Sequence, residues 1–416
     1  MPNNMKPVDK PLRVAIVDEE FPFPMNSGKR IRTLNLVQRL AKSHKVVYIA
    51  HQNADDAELV EALKYMNEMD IETIQIPRKI QPKAGLPFYG KLGANLLSSL
   101  PYSVSSHTSH AMRKEIERLD ASGEIDLWHC EWTPYAELFR DLTSQPLVIA
   151  AHNIESLIWQ RYTESETNPI KRWYIQKQWK KFEVFERWAF SRATRTIVVS
   201  QPDGTLAREQ FGATNIDVVE NGVDVQKYKT FQQERNPKEM IFLGSLDWRP
   251  NLDGLTLFLK EVMPELSRQE PEILFSIVGR KPPEWLIQRA KSDPHIQLYA
   301  DVPDVVPYLS RAGFMVVPLR IGGGSRLKII EAAANGLPVV STRIGAEGLK
   351  FKPTKDYFAS ESIEALTTSI LEVLTNPKQA TEAAQRARQL AEEKYDWDAL
   401  ALRQAESWNA AMANQQ

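Results

Sequence analysis

The chain of 416 residues has a single cysteine, Cys130. One thiol can close no internal disulfide and form no cysteine-based zinc site. A reducing compartment is therefore the default expectation. No stretch approaches the ~18 to 20 apolar residues that cross a bilayer. The opening MPNNMKPVDKPLRVAIVDEE has no apolar core of signal-peptide length. These absences predict a cytoplasmic protein, soluble or at most peripheral at the inner face of a membrane. Neither sign of charge is in excess: 52 Lys and Arg stand against 53 Asp and Glu, a formal net charge of −1. That balance argues against a dedicated nucleic-acid binder, which carries a basic surplus. The turn after the first apolar run lacks GxGxxG, which sets a dinucleotide dehydrogenase aside. What is present is ordinary for a globular protein, with 43% hydrophobic and 25% charged residues. The length predicts two domains.

Short apolar runs alternate with helical stretches from end to end. Val14 to Val17, Val46 to Ala50, Ile125 to His129, Leu147 to Ala151 and Thr196 to Val199 read as strands, and Arg30 to Lys42 as an amphipathic helix. A second series reads as strands at Met240 to Leu243, Ile273 to Val278, Ile296 to Tyr299, Phe314 to Val317 and Pro338 to Ser341. Helices fall between them at Leu252 to Leu266, Pro283 to Ser292, Val305 to Arg311 and Leu327 to Asn335. Such alternation implies α/β architecture, with two doubly wound Rossmann-like domains. The polar stretch 226–238 lacks an apolar period and is the expected linker between a domain at 1–225 and one at 239–394. A final helix in 395–416 is expected to return to the first domain. Two such domains leave a cleft at the carboxyl ends of their sheets, where ligands of open α/β sheets bind.

The segment richest in chemistry is VVPLRIGGGSRLKIIEAAANGLPVVST, Val316 to Thr342. A buried strand ends at Pro318, and Gly322, Gly323 and Gly324 follow. Ser325 then caps a helix carrying Arg326, Lys328 and Glu331. Glycines let a backbone approach a ligand closely. A helix start offers free N–H groups and a positive dipole end that suit a phosphate. Arg326 can grip phosphate through two nitrogens, and Lys328 adds a point charge. Glu331 is a poor phosphate ligand but could accept hydrogen bonds from ribose hydroxyls. The competing reading of this segment is a plain strand-to-helix turn with solvated charges.

This segment resembles the nucleotide-sugar motif of the family 4 retaining glycosyltransferases of GT-B fold, closest to the branch associated with exopolysaccharide assembly. Other pieces match in order: HNIE at His152 to Glu155, VVSQ at Val198 to Gln201, ENGVD at Glu220 to Asp224, FLGSLDWRPN at Phe242 to Asn251, FSIVGRKP at Phe275 to Pro282 and DVPDVVPYLSRAG at Asp301 to Gly313. There are two departures. The family has two glutamates seven residues apart, and here Gly323 stands where the first would be. It also has an Arg and a Lys after the strand opening the donor domain, and here Ser245 occupies the Arg position.

The resemblance implies an acceptor-side first domain and a second domain that binds a nucleotide diphosphate sugar, a UDP- or GDP-sugar. Transfer would go to a glycan or lipid-linked acceptor with retention, the leaving phosphate taking the acceptor proton, and no metal or other cofactor is expected. It makes His152 a hydrogen-bond partner of the transferred sugar, and Gly28 the glycine-bearing loop beside the donor phosphate. Arg30 and Arg32 follow Gly28, and the competing reading there is a turn with solvated arginines. Arg280, ending its strand, would face the base or phosphates, and Val302 would read the base through its backbone. Glu131 and Trp132 end a strand of the first domain, with packing as good an account as any role. Ile170 to Ala193 has a helical pattern with a basic face, and Phe88 to His107 is apolar and reads as loop-rich. Either could touch a membrane, although a packed helix with a solvated basic face is the simpler account of the first. Two other functions stay open on the same residues: a nucleotide-sugar epimerase, and a catalytically weak nucleotide-sugar binder.

Overall fold

The computed structural model describes residues 11–77, 85–142, 145–225, 227–228, 234–321 and 327–413. The chain divides into two compact units. One takes the chain up to Glu220 together with the last helix from Asp398, and the other spans Asn221–Trp397.

The first unit is built on β1 (Arg13–Glu20), β2 (Lys45–His51), β3 (Glu72–Ile76), β4 (Leu127–Cys130), β5 (Leu147–Ala151), β6 (Arg195–Val198) and β7 (Ile216–Val218). These pair in the order β3-β2-β1-β4-β5-β6-β7, every pairing parallel. Val14 to Val17 and all of β5 are buried, as expected of inner parallel strands covered on both faces. The second unit holds β8 (Asn236–Leu243), β9 (Leu274–Gly279), β10 (Ile296–Ala300), β11 (Ala312–Val317), β12 (Val339–Thr342) and β13 (Phe358–Ser360). Their order is β10-β9-β8-β11-β12-β13, again parallel. In each sheet the winding reverses once, between β1 and β4 and between β8 and β11. The crevice at the carboxyl ends of those two strands is where such sheets take ligands.

The expected linker 226–238 ends too late: its last three residues are the start of β8. The strand hides behind a polar opening. Arg235 ahead of it donates to the carbonyls of Leu309, Ala312 and Asn335 at 3.0, 3.1 and 2.7 Å. Buried Glu239 is matched by Arg311 and by Ser276. At the other end, Val223, Val225 and Tyr228 belong to the core of the second unit. The expected long helix from Leu252 is three pieces, Arg249–Leu257, a π segment Phe258–Val262 and Met263–Gln269. Pro264 has no N–H to continue the i to i−4 ladder, which accounts for the wider turn before it. The stretch read as loop-rich, Phe88 to His107, contains parts of two short helices, Leu86–Asn95 and Tyr102–His107.

The helix Pro169–Arg192 buries Ile175, Phe182 and Phe185, as its period predicts. It also carries Glu186 inward. That carboxyl accepts the N–H of Glu155 at 2.6 Å and of Ser156 at 3.1 Å, together with the Ser156 hydroxyl. It thereby supplies the cap that Ile154 cannot give to the helix Glu155–Ser165. Burial pushes its pKa up to about 8 despite these donors.

Candidate functional site

In the second unit the chain leaves β8 through Gly244 and Ser245. Asn251, in the first turn of the helix Arg249–Leu257, donates its Nδ2 to the Ser245 carbonyl at 2.8 Å. Its Oδ1 accepts Lys328 Nζ at 2.9 Å. The Lys328 ammonium lies 4.2 Å from the centre of the Phe242 ring. A Cβ on Gly244 would lie 2.7 Å from Asn251 Nδ2 and 2.8 Å from Lys328 Nζ, so only glycine leaves room for this arrangement. From β9, Arg280 Nε donates to Ser245 Oγ at 3.1 Å. Three expected site residues, Ser245, Arg280 and Lys328, are thus joined at the carboxyl end of β8, beside the switch point. Asn251 joins them and sequence reasoning missed it, although it lies inside a quoted motif. Asparagine at a helix start reads first as capping, and nothing in the sequence says that its amide reaches Lys328.

Glu331 lies three residues past Lys328 in the helix Leu327–Ala334 and accepts the Tyr228 hydroxyl at 3.1 Å. Burial raises its carboxyl to about 7, with Tyr228, Lys227 and Lys328 pulling in the other direction. A carboxyl whose folded pKa is raised takes up a proton on folding. Its contribution is therefore fully present below the ordinary value of 4.5 and is lost as the pH rises through about 7. Glu331→Gln should accordingly stabilise the protein at pH 8 by on the order of 1 to 3 kcal/mol and change little at pH 5. Thermal melts at the two pH values check this, and an equal shift at both would show that ionisation is not the cause. Val302 is half-buried against the second core, just past β10, two strands from β8. Gly322, Gly323, Gly324, Ser325 and Arg326 lie outside the described residues.

In the first unit, Gly28 is the first helical residue of Gly28–Leu40, capped by Ser27, with open space around its Cα. The arginines that follow are not solvated. Arg30 pairs with Glu20 and Glu58, each at 2.9 Å. Arg32 is 1% exposed and donates to the Glu220 carbonyl at 2.6 Å. The charged residue at the end of β1 is instead Lys29, whose Nζ lies 2.5 Å from Asp18, which also accepts the Tyr48 hydroxyl at 2.6 Å. Burial works against the Lys29 charge, but Asp18 and Glu19 overcome it, so this ammonium holds its proton more tightly than a free lysine.

His152, after β5, meets Glu131 at the end of β4: its Nε2 is 3.1 Å from Glu131 Oε1. His129 Nε2 is 2.7 Å from Glu131 Oε2, and Thr33 Oγ1 donates to Oε1 at 2.8 Å. Burial would raise the Glu131 pKa, yet the hydrogen bonds from His129 and His152 hold it well below the usual carboxylate range. Glu131 is therefore the centre of the cluster rather than packing. The available signal was the alternation of His129 and Glu131, two residues apart and so on one face of the sheet.

Among the described residues no three His, Cys, Asp or Glu side chains converge in a way that could hold a metal ion. The sequence does spell one Asp-x-Asp, at Asp396 and Asp398. There Trp397 is buried, and Asp398 is taken by Arg39 at 2.5 Å.

The model of Glycosyltransferase Family 4 matches residues 27–227, and that of Glycosyl transferases group 1 matches residues 237–376. The chain belongs to the group 1 and family 4 glycosyltransferases. A glycogen synthase of Mycobacterium tuberculosis is 24% identical over 293 residues, 67% of this chain and 70% of that one. A 44.6 kDa protein in the cps region of Klebsiella pneumoniae is 21% identical over 355 residues, 81% and 84% of the two chains. Among solved structures, Anabaena HepE in complex with UDP-glucose superimposes with a TM-score of 0.65 at 14% identity, covering 96% of this chain and 99% of that one. The glycosyltransferase is thus of GT-B fold, with two parallel sheets of seven and six strands. No helix among its described residues is long and apolar enough to cross a membrane.

Proposed function

We propose that this glycosyltransferase moves a hexosyl group from a UDP- or GDP-sugar to a glycan or lipid-linked acceptor, with retention and without a metal, in cell-envelope or exopolysaccharide synthesis. The observation that carries the proposal is the grouping of Ser245, Arg280, Asn251 and Lys328 at the carboxyl end of β8. A cation held at a sheet switch point, at the start of the helix Leu327–Ala334, is suited to a diphosphate. Lys328, with the charge of Arg326 and the polar groups of Ser325, Gly322, Gly323 and Gly324 that the sequence places just before it, neutralises the charge that grows on the leaving diphosphate. Glu331 accepts hydrogen bonds from the ribose, Arg280 and Ser245 flank the phosphates, and the Val302 backbone meets the base. In the first unit His152 hydrogen-bonds the transferred sugar, and Gly28 lets the chain approach it. The glycosidic bond to the diphosphate breaks, the acceptor oxygen attacks the same face, and its proton passes to the leaving phosphate. The UDP-glucose complex of HepE and the cps-region relative support the donor class and the pathway.

The helix Pro169–Arg192 supports peripheral contact with an anionic membrane from the cytoplasmic side. Ile170, Trp173 and Val184 are exposed in one stripe with Lys177 and Lys180. Sedimentation with phosphatidylglycerol vesicles tests this, and equal recovery with neutral vesicles would refute an electrostatic contact.

A panel of nucleotide sugars tests the proposal at its centre. The matching donor raises the melting temperature, because it binds the folded state alone. With an acceptor present, it yields a product whose anomeric configuration matches the donor. An unchanged melting temperature across the panel overturns the donor assignment. A new sugar isomer formed from donor alone would make the protein an epimerase.

A further inference from the structure

The helix Trp397–Ala413 sends one side chain into the interior of the first unit at β4. Trp408 is fully buried, and its indole Nε1 is 3.1 Å from His129 Nδ1. An indole nitrogen can only donate, so His129 Nδ1 must be the acceptor and its proton must sit on Nε2. That Nε2–H points at Glu131 Oε2, 2.7 Å away. Glu131, kept ionised by its partners, can only accept, so His152 in turn donates from Nε2 to Oε1 at 3.1 Å. A single directed chain therefore runs Trp408 to His129 to Glu131, with Thr33 and His152 closing on the other carboxylate oxygen. Every member except His152 is buried to within a few per cent. Trp408 is itself wedged between the rings of His44 and His129, 5.5 and 5.7 Å away and both edge-on.

We infer that Trp408 and His129 are positioning residues for His152. The indole N–H selects the tautomer of His129, His129 and Thr33 fix the Glu131 carboxylate, and Glu131 fixes the ring plane and the donating nitrogen of His152. A histidine that must present one particular nitrogen to a sugar needs its tautomer set by the bond made at the other. The last helix of the chain, far in sequence from every motif, thereby enters the reaction without touching the substrate. The inference rests on the proposed contact between His152 and the transferred sugar.

Trp408→Phe keeps a buried ring and removes only the N–H. In protein labelled with ¹⁵N-histidine, which has only seven histidines to resolve, the His129 ring is assigned as the signal lost in His129→Gln, and in the wild type it should be purely in the Nε2–H form. In Trp408→Phe that ring should interconvert between tautomers. Turnover should drop about 10- to 100-fold while the KM for the nucleotide sugar stays unchanged, because the donor is held by the other unit. His129→Gln offers both an acceptor and a donor and should retain more turnover than His129→Leu, which offers neither. A Trp408→Phe enzyme with an unmoved His129 tautomer overturns the inference. So does unchanged turnover in Trp408→Phe where His152→Ala is defective. Full turnover in His152→Ala would instead remove the functional reading beneath it, and the tautomer spectra would still report whether the hydrogen-bond chain exists.

Discussion

Replacing Lys328 by methionine lowers sugar transfer about 10- to 100-fold in a protein that remains folded. Methionine is close to lysine in length and apolar, so it keeps the stem packed against Phe242 and removes only the charge. Asn251 loses the ammonium on Oδ1 but keeps its bond to the Ser245 carbonyl, so the turn after β8 stays anchored. What disappears is a cation that the proposed function sets against the leaving diphosphate. The loss should fall on kcat more than on donor binding if that charge matters most in the transition state. Lys328→Arg should recover only part of the activity. A planar guanidinium does not fit the space of a point charge between Asn251 and Phe242. Arg326→Ala, two residues earlier in the sequence, should cost a comparable factor. Steady-state kinetics with the donor chosen by the panel decides the matter, and wild-type kcat/KM in Lys328→Met would remove the diphosphate from this helix start.

The positions of the inner strands were legible because parallel β/α alternation writes each as a short apolar run, while their order in the sheets was not. β1, β2, β5, β8 to β10 and β11 lie where their runs lie. The short strands β3, β7 and β13 escaped because their residues are only partly apolar and partly buried. The opening of β8 escaped because Asn236 to Glu239 is polar, a charge cost offset by Arg311 and Ser276, which are far away in sequence. The candidate site divided in the same way. Ser245 and Arg280 were reached through motifs that resemble the family's, and Lys328 through the charge after the triple glycine. Asn251, Lys29 and Asp18 matter through contacts that depend on two elements meeting. Arg30 and Arg32 show the converse. Positive charge beside a glycine reads as a phosphate grip, yet Glu20 and Glu58 claim the one and the Glu220 carbonyl the other. Trp408 is the furthest from any sequence signal, because only the return of the last helix to the first unit brings it to His129.

A large loss of stability is expected at Gly279. This residue ends β9, and the chain leaving β8 runs tightly across it: Gly244 donates to the Val278 carbonyl at 3.1 Å and Leu246 to the Arg280 carbonyl at 2.9 Å. A Cβ at Gly279 would overlap the Gly244 carbonyl oxygen and sit 2.8 Å from Leu246 Cγ. Both obstacles belong to the turn itself, one of them backbone, so no side-chain rotation relieves the clash. The two strand ends must part, which breaks both hydrogen bonds and carries Ser245 away from Arg280. Gly279→Ala should therefore cost about 3 kcal/mol or more and abolish donor binding together with it. Gly93→Ala is the internal control. It lies in the helix Leu86–Asn95 with nothing within 4 Å of the added methyl, so it should be neutral or stabilising by up to about 1 kcal/mol. Urea unfolding followed by the fluorescence of tryptophans, which the second unit carries at Trp248, Trp285 and Trp397, separates the two outcomes. A Gly279→Ala protein that unfolds at the wild-type midpoint and still binds the donor would mean that β8 and β9 do not meet as closely as their hydrogen bonds require.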